Sequence, residues 1–103
     1  MYLVHAHLEL PSGAELPLYI SELMRASIAP PDRVEHLAVH PRSPSRLTLG
    51  FYLLAGHLEE AEAHAVRVCR RLLCDVPQLR GARLLGAGVP LMPAVASPAA
   101  SLD

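Results

Sequence analysis

Apolar and polar residues alternate along three segments of the chain, with the period of two that is typical of a strand facing a core on one side. The first segment covers residues 1–10, the second covers 33–40, and the third, over 46–54, has the clearest alternation. Between the last two lies Pro-Arg-Ser-Pro-Ser at 41–45, a composition that favours a turn. The sequence therefore predicts an isolated first strand and, later in the chain, a β-hairpin with a five-residue turn.

Residues 56–75 repeat apolar side chains at steps of three and four, which is the spacing of an amphipathic helix. Acidic residues fill the first turns and arginines the last, and both placements suit the helix dipole. We expect a long helix with one side in the core. Its polar face is expected to carry Glu60, His64, Arg67 and Arg71.

A shorter helix is predicted between the first strand and the hairpin. Ser12 and Glu15 have the spacing of a capping box, which would start the helix at that point. An apolar stripe at helical spacing then runs from Leu16 to about Ala26. The two prolines at 30–31 end the stretch, because the residue before a proline avoids the helical region.

A weaker strand, diluted by glycines, is predicted over residues 79–87. The order strand, helix, strand, strand, helix, strand is the split β-α-β pattern (βαββαβ) of ferredoxin-like α+β domains. Right-handed crossovers would then place both helices on one face of a four-stranded antiparallel sheet, with the first and third strands central. We expect one such domain over 1–89 and a flexible, Pro/Ala-rich tail over 90–103.

The alternation also assigns side chains to the two faces of this sheet. The most apolar set of each strand should face the helices, which leaves the other set on an open face. The open set is His5, His7, Glu9, His36, His40, Arg46, Thr48, Tyr52 and Arg83. Four of the six histidines therefore share one surface. A register error of one residue would bury them, but it would also expose the apolar side chains of the third strand.

The composition of the chain suggests an oligomer. A chain of 103 residues is one small domain, and domains of this size often gain burial by dimerising. Hydrophobic residues make up 51% of the chain and charged residues only 18%, as expected if a weakly polar face is hidden between subunits. We therefore expect a homodimer of the α+β-barrel type, in which two sheets face each other.

Charge and cysteine content narrow the partners and the compartment. The net charge is -1, without a basic patch, which argues against a nucleic-acid partner. No apolar run approaches the roughly 20 residues of a membrane span, and no signal peptide is recognisable. Cys69 and Cys74 lie about 140° apart around the predicted helix, poorly placed to pair. All basic residues are arginines, typical of a high-GC bacterial genome, and we expect a reduced, cytoplasmic protein.

The histidine-rich open face is the candidate site. Histidine holds or releases a proton near neutral pH, and a tyrosine hydroxyl can donate a hydrogen bond to a developing enolate or phenolate. The predicted catalytic residues are His5, His7, His36 and Tyr52. The predicted substrate-binding residues are His40, Arg46, Thr48 and Arg83. Together they would support isomerisation, cyclisation or dehydration of a small organic substrate without any cofactor.

Three interpretations of this face stay open. The first is a small cofactor-independent enzyme of bacterial biosynthetic metabolism. The second is a metal site, since His5 and His7 lie on one face of a strand and His36 or Glu9 could add a third ligand; our preferred site contains no metal. The third is a non-catalytic ligand-binding or oligomerisation domain with a solvated sheet face. The polarity of the face favours a pocket, because charged groups are depleted in interface cores.

Overall fold

The computed structural model describes residues 1–89, which form an α+β domain with four antiparallel strands and two helices. The strands are β1 (Tyr2–Glu9), β2 (Val34–Ser43), β3 (Arg46–Leu53) and β4 (Arg83–Gly88). The helices are α1 (Ile20–Ala26) and α2 (Leu58–Asp75), with single 3-10 turns at Pro30–Asp32 and Pro77–Leu79. The tail expected over 90–103 lies outside the described residues. No helix within 1–89 is both long and apolar enough to cross a membrane.

The strand order is β2-β3-β1-β4, so β1 and β3 are central and β2 and β4 form the edges. Buried side chains from the sheet and both helices make one apolar cluster. On β1 and β3 the fully buried positions Val4, Ala6, Leu49 and Phe51 belong to the predicted helix-facing set. Their register, with Val4 opposite Phe51 and Ala6 opposite Leu49, leaves the alternate residues on the open face.

The hairpin loop is shorter than the sequence pattern predicts. Strand β2 continues through Pro41 to Ser43, and only Pro44 and Ser45 form the turn. Two irregularities in register accompany this extension, one of them between Pro41 and Ser43. A proline is tolerated there because β2 is an edge strand and the pairing is irregular at this point. The N–H that proline lacks is therefore not needed for a hydrogen bond between the strands.

Helix α1 begins later than predicted, at Ile20, and the expected capping box does not form. The Pro11 carbonyl instead accepts a hydrogen bond from the Ala14 N–H (3.1 Å), and Gly13 takes a left-handed φ of 78°. That geometry is a β-turn, which glycine allows at no steric cost. The segment before α1 is therefore a loop, and the helix has only seven residues.

The last strand also begins later than predicted, because residues Pro77–Leu79 form a 3-10 turn that buries Leu79. Helix α2 matches its prediction closely and has a reciprocal N-terminal cap. The Glu60 N–H donates to His57 Nδ1 (3.2 Å), and Glu60 Oε1 accepts from the Gly56 N–H (2.6 Å). The arrangement resembles a capping box with histidine in the usual Ser/Thr position, except that Glu60 accepts from Gly56, the residue before the cap.

The sequence pattern placed Arg71 on the polar, solvent-facing side of α2, but the structure shows its side chain bonded to another segment of the fold. Its guanidinium forms a bidentate pair with Asp32, with N–O distances of 2.7 and 2.6 Å, and Nη2 also donates to the Ser27 carbonyl (2.9 Å). Asp32 is buried and accepts from the Ala29 N–H as well. The Arg71 guanidinium holds the pKa of the Asp32 carboxyl below its usual value. This contact joins the 3-10 turn after α1 to helix α2.

Candidate functional site

The open face of the sheet brings the predicted polar residues together in two rows, with the row that contains His5 and Gly50 between them. The first row crosses three strands, with Thr48 on β3 opposite both His7 on β1 and His40 on β2. The second row pairs His36 on β2 with Tyr52 on β3. These rows follow from the register of the strands and the period-2 alternation, because residues opposite each other point to the same side.

His5 lies at the centre of a cluster of three histidines. Its ring centroid is 6.2 Å from that of His7, with the rings nearly perpendicular, and 6.4 Å from that of His40. His5 is on β1 and His40 on β2, so the two are separated by the width of β3. Gly50 is opposite His5 on β3, and a Cβ added there would lie 3.6 Å from His5 Cδ2. The missing side chain lets the His5 ring extend across β3 toward His40.

The surroundings of His5 favour its neutral form. Partial burial is the main cause of its lowered pKa, and the nearby His7, His40 and Arg42 add further unfavourable charge. A neutral imidazole at neutral pH can accept a proton. His5 is therefore held in the neutral form that can accept a proton, although the lowered pKa also makes it a weaker base.

His7 is oriented by a hydrogen-bonded chain. Its Nδ1 lies 3.1 Å from Thr48 Oγ1, and the same hydroxyl oxygen accepts from Arg42 Nε at 3.3 Å. Thr48 is buried, whereas His7 is exposed. When the hydroxyl accepts from Arg42 and gives its own hydrogen to Nδ1, His7 carries its ring proton on Nε2. Arg42 is not among the predicted site residues, because the sequence pattern predicts a turn at this position and the structure extends β2 through it.

His36 and Tyr52 form a second, separate pair. Their ring centroids are 5.5 Å apart with an interplanar angle of 52°. Tyr52 is half-buried and His36 is exposed. The pair places a phenol hydroxyl and an imidazole on the open face near the His5 cluster, since Tyr52 follows Gly50 by two residues on the same strand.

Arg46 and Arg83 were predicted as substrate-binding residues, and the structure places both beside Glu9 at one end of the face. Arg83 donates to Glu9 Oε1 from Nε (3.0 Å) and from Nη2, while Arg46 Nη2 lies 4.0 Å from Glu9 Oε2. The hydrogen bonds from Arg83 lower the pKa of Glu9. An anionic ligand at this end of the face would have to compete with the Glu9 carboxylate for both guanidinium groups.

Metal ligation is not favoured by the arrangement of side chains. Within residues 1–89 no group of three or more His, Cys, Asp or Glu side chains is placed to hold a metal ion. Glu9, one of the possible third ligands, is engaged by Arg83. His36, the other, faces Tyr52.

Both cysteines lie on α2, and the thiol of Cys69 is poorly suited to act as a nucleophile. Cys69 is fully buried on α2, and that burial raises the pKa of its thiol to about 12. Its thiolate is therefore scarce at neutral pH. Cys74 is exposed near the end of the same helix, and neither thiol is paired within the described residues.

Comparison with known proteins gives no family. The chain matches no known family model and has no significant match among curated proteins. The function is therefore inferred from the geometry of the open face.

Proposed function

We propose that this chain is a small cofactor-independent enzyme that performs acid–base chemistry on a small organic substrate at the histidine-bearing face of its sheet. The reaction class is isomerisation, cyclisation or dehydration, as in bacterial biosynthetic metabolism. The observation that carries the proposal is the position of His5. The His5 imidazole is partly desolvated and has a lowered pKa. It lies between the imidazoles of His7 and His40, on the strand next to the one that carries Tyr52.

The division of labour follows from the contacts of each side chain. His5 accepts the proton, because its surroundings favour the neutral form. His7, oriented through Thr48, presents its outer ring nitrogen for hydrogen bonding or proton return. The Tyr52 hydroxyl donates a hydrogen bond to the substrate oxygen on which negative charge develops. The His36 ring lies beside the Tyr52 ring. His40, Thr48, Arg46 and Arg83 would position the rest of the substrate.

A second copy of the chain would complete the site. In one chain His7, His36 and His40 are exposed, so water reaches them freely. We propose the ferredoxin-like form of the α+β fold, supported by the order β2-β3-β1-β4 with β1 and β3 central. Two such sheets packed face to face would enclose the histidines in a concave site of the kind that binds small molecules. We place the protein in the reducing cytoplasm, with the buried thiol of Cys69 in support.

Native mass spectrometry of the purified protein, followed by an assay on whatever it carries, tests this function. We expect a dimer that retains an organic molecule. With that molecule as substrate, His7→Ala and Tyr52→Phe should each lower kcat by about 10²- to 10⁴-fold while the unfolding transition is kept. The matched control is His57→Asn, which removes a histidine from the cap of α2 and supplies another good N-cap. Unaltered rates in both face variants would reject the enzyme.

The alternative function is a non-catalytic ligand-binding or oligomerisation domain. It is favoured by one observation, that the histidine face of a single chain is an exposed surface rather than a closed cavity. In that case the retained molecule would be recovered chemically unchanged after incubation, and replacement of the histidines would alter affinity alone. Consumption of substrate beyond one equivalent per chain would reject this alternative.

A further inference from the structure

A cavity of about 420 Å³ lies on the helix side of the sheet, away from the histidine face. It opens between the loop that precedes α1 and the end of the β2–β3 hairpin. Its volume falls in the range of about 300–1,000 Å³ that is usual for small-molecule sites. None of the residues assigned to the acid–base chemistry lines it except Arg46, at the hairpin end.

The cavity exists because α1 is short. The helix begins only at Ile20, so the hairpin end of β2 and β3 is covered by a loop instead of a helical turn. The walls are mainly aliphatic, and they include Leu10, Leu16, Ile20, Val39, Pro41 and Leu47. Next to them Leu18 is fully exposed and Tyr19 is more than half exposed. Apolar surface left open in this way favours an apolar ligand.

The charged groups of the lining are two arginines, and the lining contains no acidic residue. Arg25 is held in place, because Nε and Nη2 both donate to the Leu37 carbonyl at 3.3 and 3.1 Å. Within residues 1–89 its Nη1 has no hydrogen-bond acceptor. Arg46 is held only loosely, 4.0 Å from Glu9. The walls are thus mainly apolar, with two serines, and their charged component is cationic. The Leu37 carbonyl fixes Arg25, which also lines a smaller neighbouring cavity that contains Glu35.

We propose that this cavity binds a small apolar carboxylate. The hydrocarbon body packs against the aliphatic walls, and the carboxylate accepts hydrogen bonds from Arg25. Charge complementarity selects an anion, and a guanidinium fixed by a backbone carbonyl suits a carboxylate because fewer rotamers are lost on binding. The site shares only Arg46 with the acid–base face, and the proposal stands whether or not that face is catalytic.

NMR titration of the full-length protein with octanoate and with octan-1-ol tests the proposal. The two probes have similar hydrocarbon bodies, and only the first is anionic. We expect octanoate to shift the methyl signals of Ile20, Val39 and Leu47 saturably, while the histidine ring signals of the open face stay unchanged. Octan-1-ol should bind the same methyls more weakly. Equal affinity for the two probes, or shifts confined to the histidine face, would overturn the proposal.

Variants separate the charge from the apolar walls. Arg25→Gln should weaken octanoate binding by about 10- to 100-fold and leave octan-1-ol unaffected, since one charge-assisted hydrogen-bonded contact is lost. Arg80→Gln, an exposed arginine outside the cavity, is the matched control. Ala14→Phe should fill the cavity and abolish binding of both probes while the unfolding transition is kept. Failure of octanoate to bind, with contacts from a second copy or from residues 90–103 to these methyls instead, would overturn the proposal.

Discussion

At the scale of single residues, Gly50 has more influence on the candidate site than its size suggests. It lies in the middle of β3 with an ordinary backbone conformation, so no turn or positive φ explains it. A glycine there weakens a strand. What it provides is room for His5, whose ring contacts the position where a Cβ would lie. The proximity of His5 to His40 depends on this absence of a side chain.

Gly50→Val should therefore move His5 without unfolding the domain. The branched side chain would displace the imidazole toward solvent, and the pKa of His5 should rise toward its ordinary value of 6.5 because desolvation is the main cause of its lowering. NMR titration of the histidine ring signals measures this. Gly86→Val is the control, since a Cβ at Gly86 has nothing within 4 Å. An unchanged pKa of His5 in Gly50→Val would refute the positioning role.

Gly50→Ala gives a graded companion to that variant. A single methyl group would make ordinary van der Waals contacts of 3.6–3.7 Å with His5, Leu3 and Ala38. We expect the free energy of unfolding to rise by about 0.5–1 kcal/mol, the usual cost of glycine relative to alanine in a strand. The pKa of His5 should stay close to that of the wild type. Urea unfolding measures the change in the free energy of unfolding. A loss of stability would show that the surroundings of Gly50 are more tightly packed than contacts of 3.6–3.7 Å indicate.

At the level of elements, the sequence pattern predicted β1, β3 and α2 well, misplaced one end of β2 and the start of β4, and predicted α1 poorly. Long elements such as β3 and α2 are readily predicted, because every turn or pleat repeats the same spacing of apolar residues. The loop before α1 was not, since Ser12 and Glu15 match a capping box while Gly13 diverts the chain into a turn. The Asp32–Arg71 contact was also invisible, because it joins residues 39 positions apart and nothing local indicates a partner.

Asp32→Asn should destabilise the domain by about 1.5–3 kcal/mol at neutral pH, the range for buried hydrogen bonds to charged groups. The pKa of Asp32 is lowered in the folded state, so its stabilising effect is present above the ordinary value of 3.8 and is lost as pH falls through the folded value. Urea unfolding at pH 7 and at pH 3 measures this. The difference between wild type and variant should be clear at pH 7 and should shrink as the pH falls below 3.8.

Arg71→Met should cost about as much, because it leaves the Asp32 carboxylate and the Ser27 carbonyl without their donor. The double variant should be much less destabilised than the two single losses added together, since the residues act as one unit. If the losses of stability in the two single variants simply add in the double variant, Asp32 and Arg71 do not act as one unit. Arg70→Met, an exposed neighbour on α2, is the control.

At the scale of the whole molecule, the open face follows from β1 and β3 occupying the centre of the sheet. That placement gathers residues from positions 5 to 52 on one surface, as the alternation predicted. The sequence could not give the split of that surface into a histidine cluster and an arginine–glutamate end, because the split depends on the register of β1, β3 and β4. It also could not reveal the cavity beside α1, which depends on where that helix begins.

Histidine footprinting with diethylpyrocarbonate, read by mass spectrometry at high and low protein concentration, shows whether two copies of the chain enclose the open face. In a single chain His36, His40 and His57 are all exposed, and only His57 lies off the open face. If two copies enclose the face, His36 and His40 should be modified much more slowly than His57 at high concentration and should approach its rate on dilution. Equal rates for all three at every concentration would show a face open to water and contradict the enclosed acid–base site.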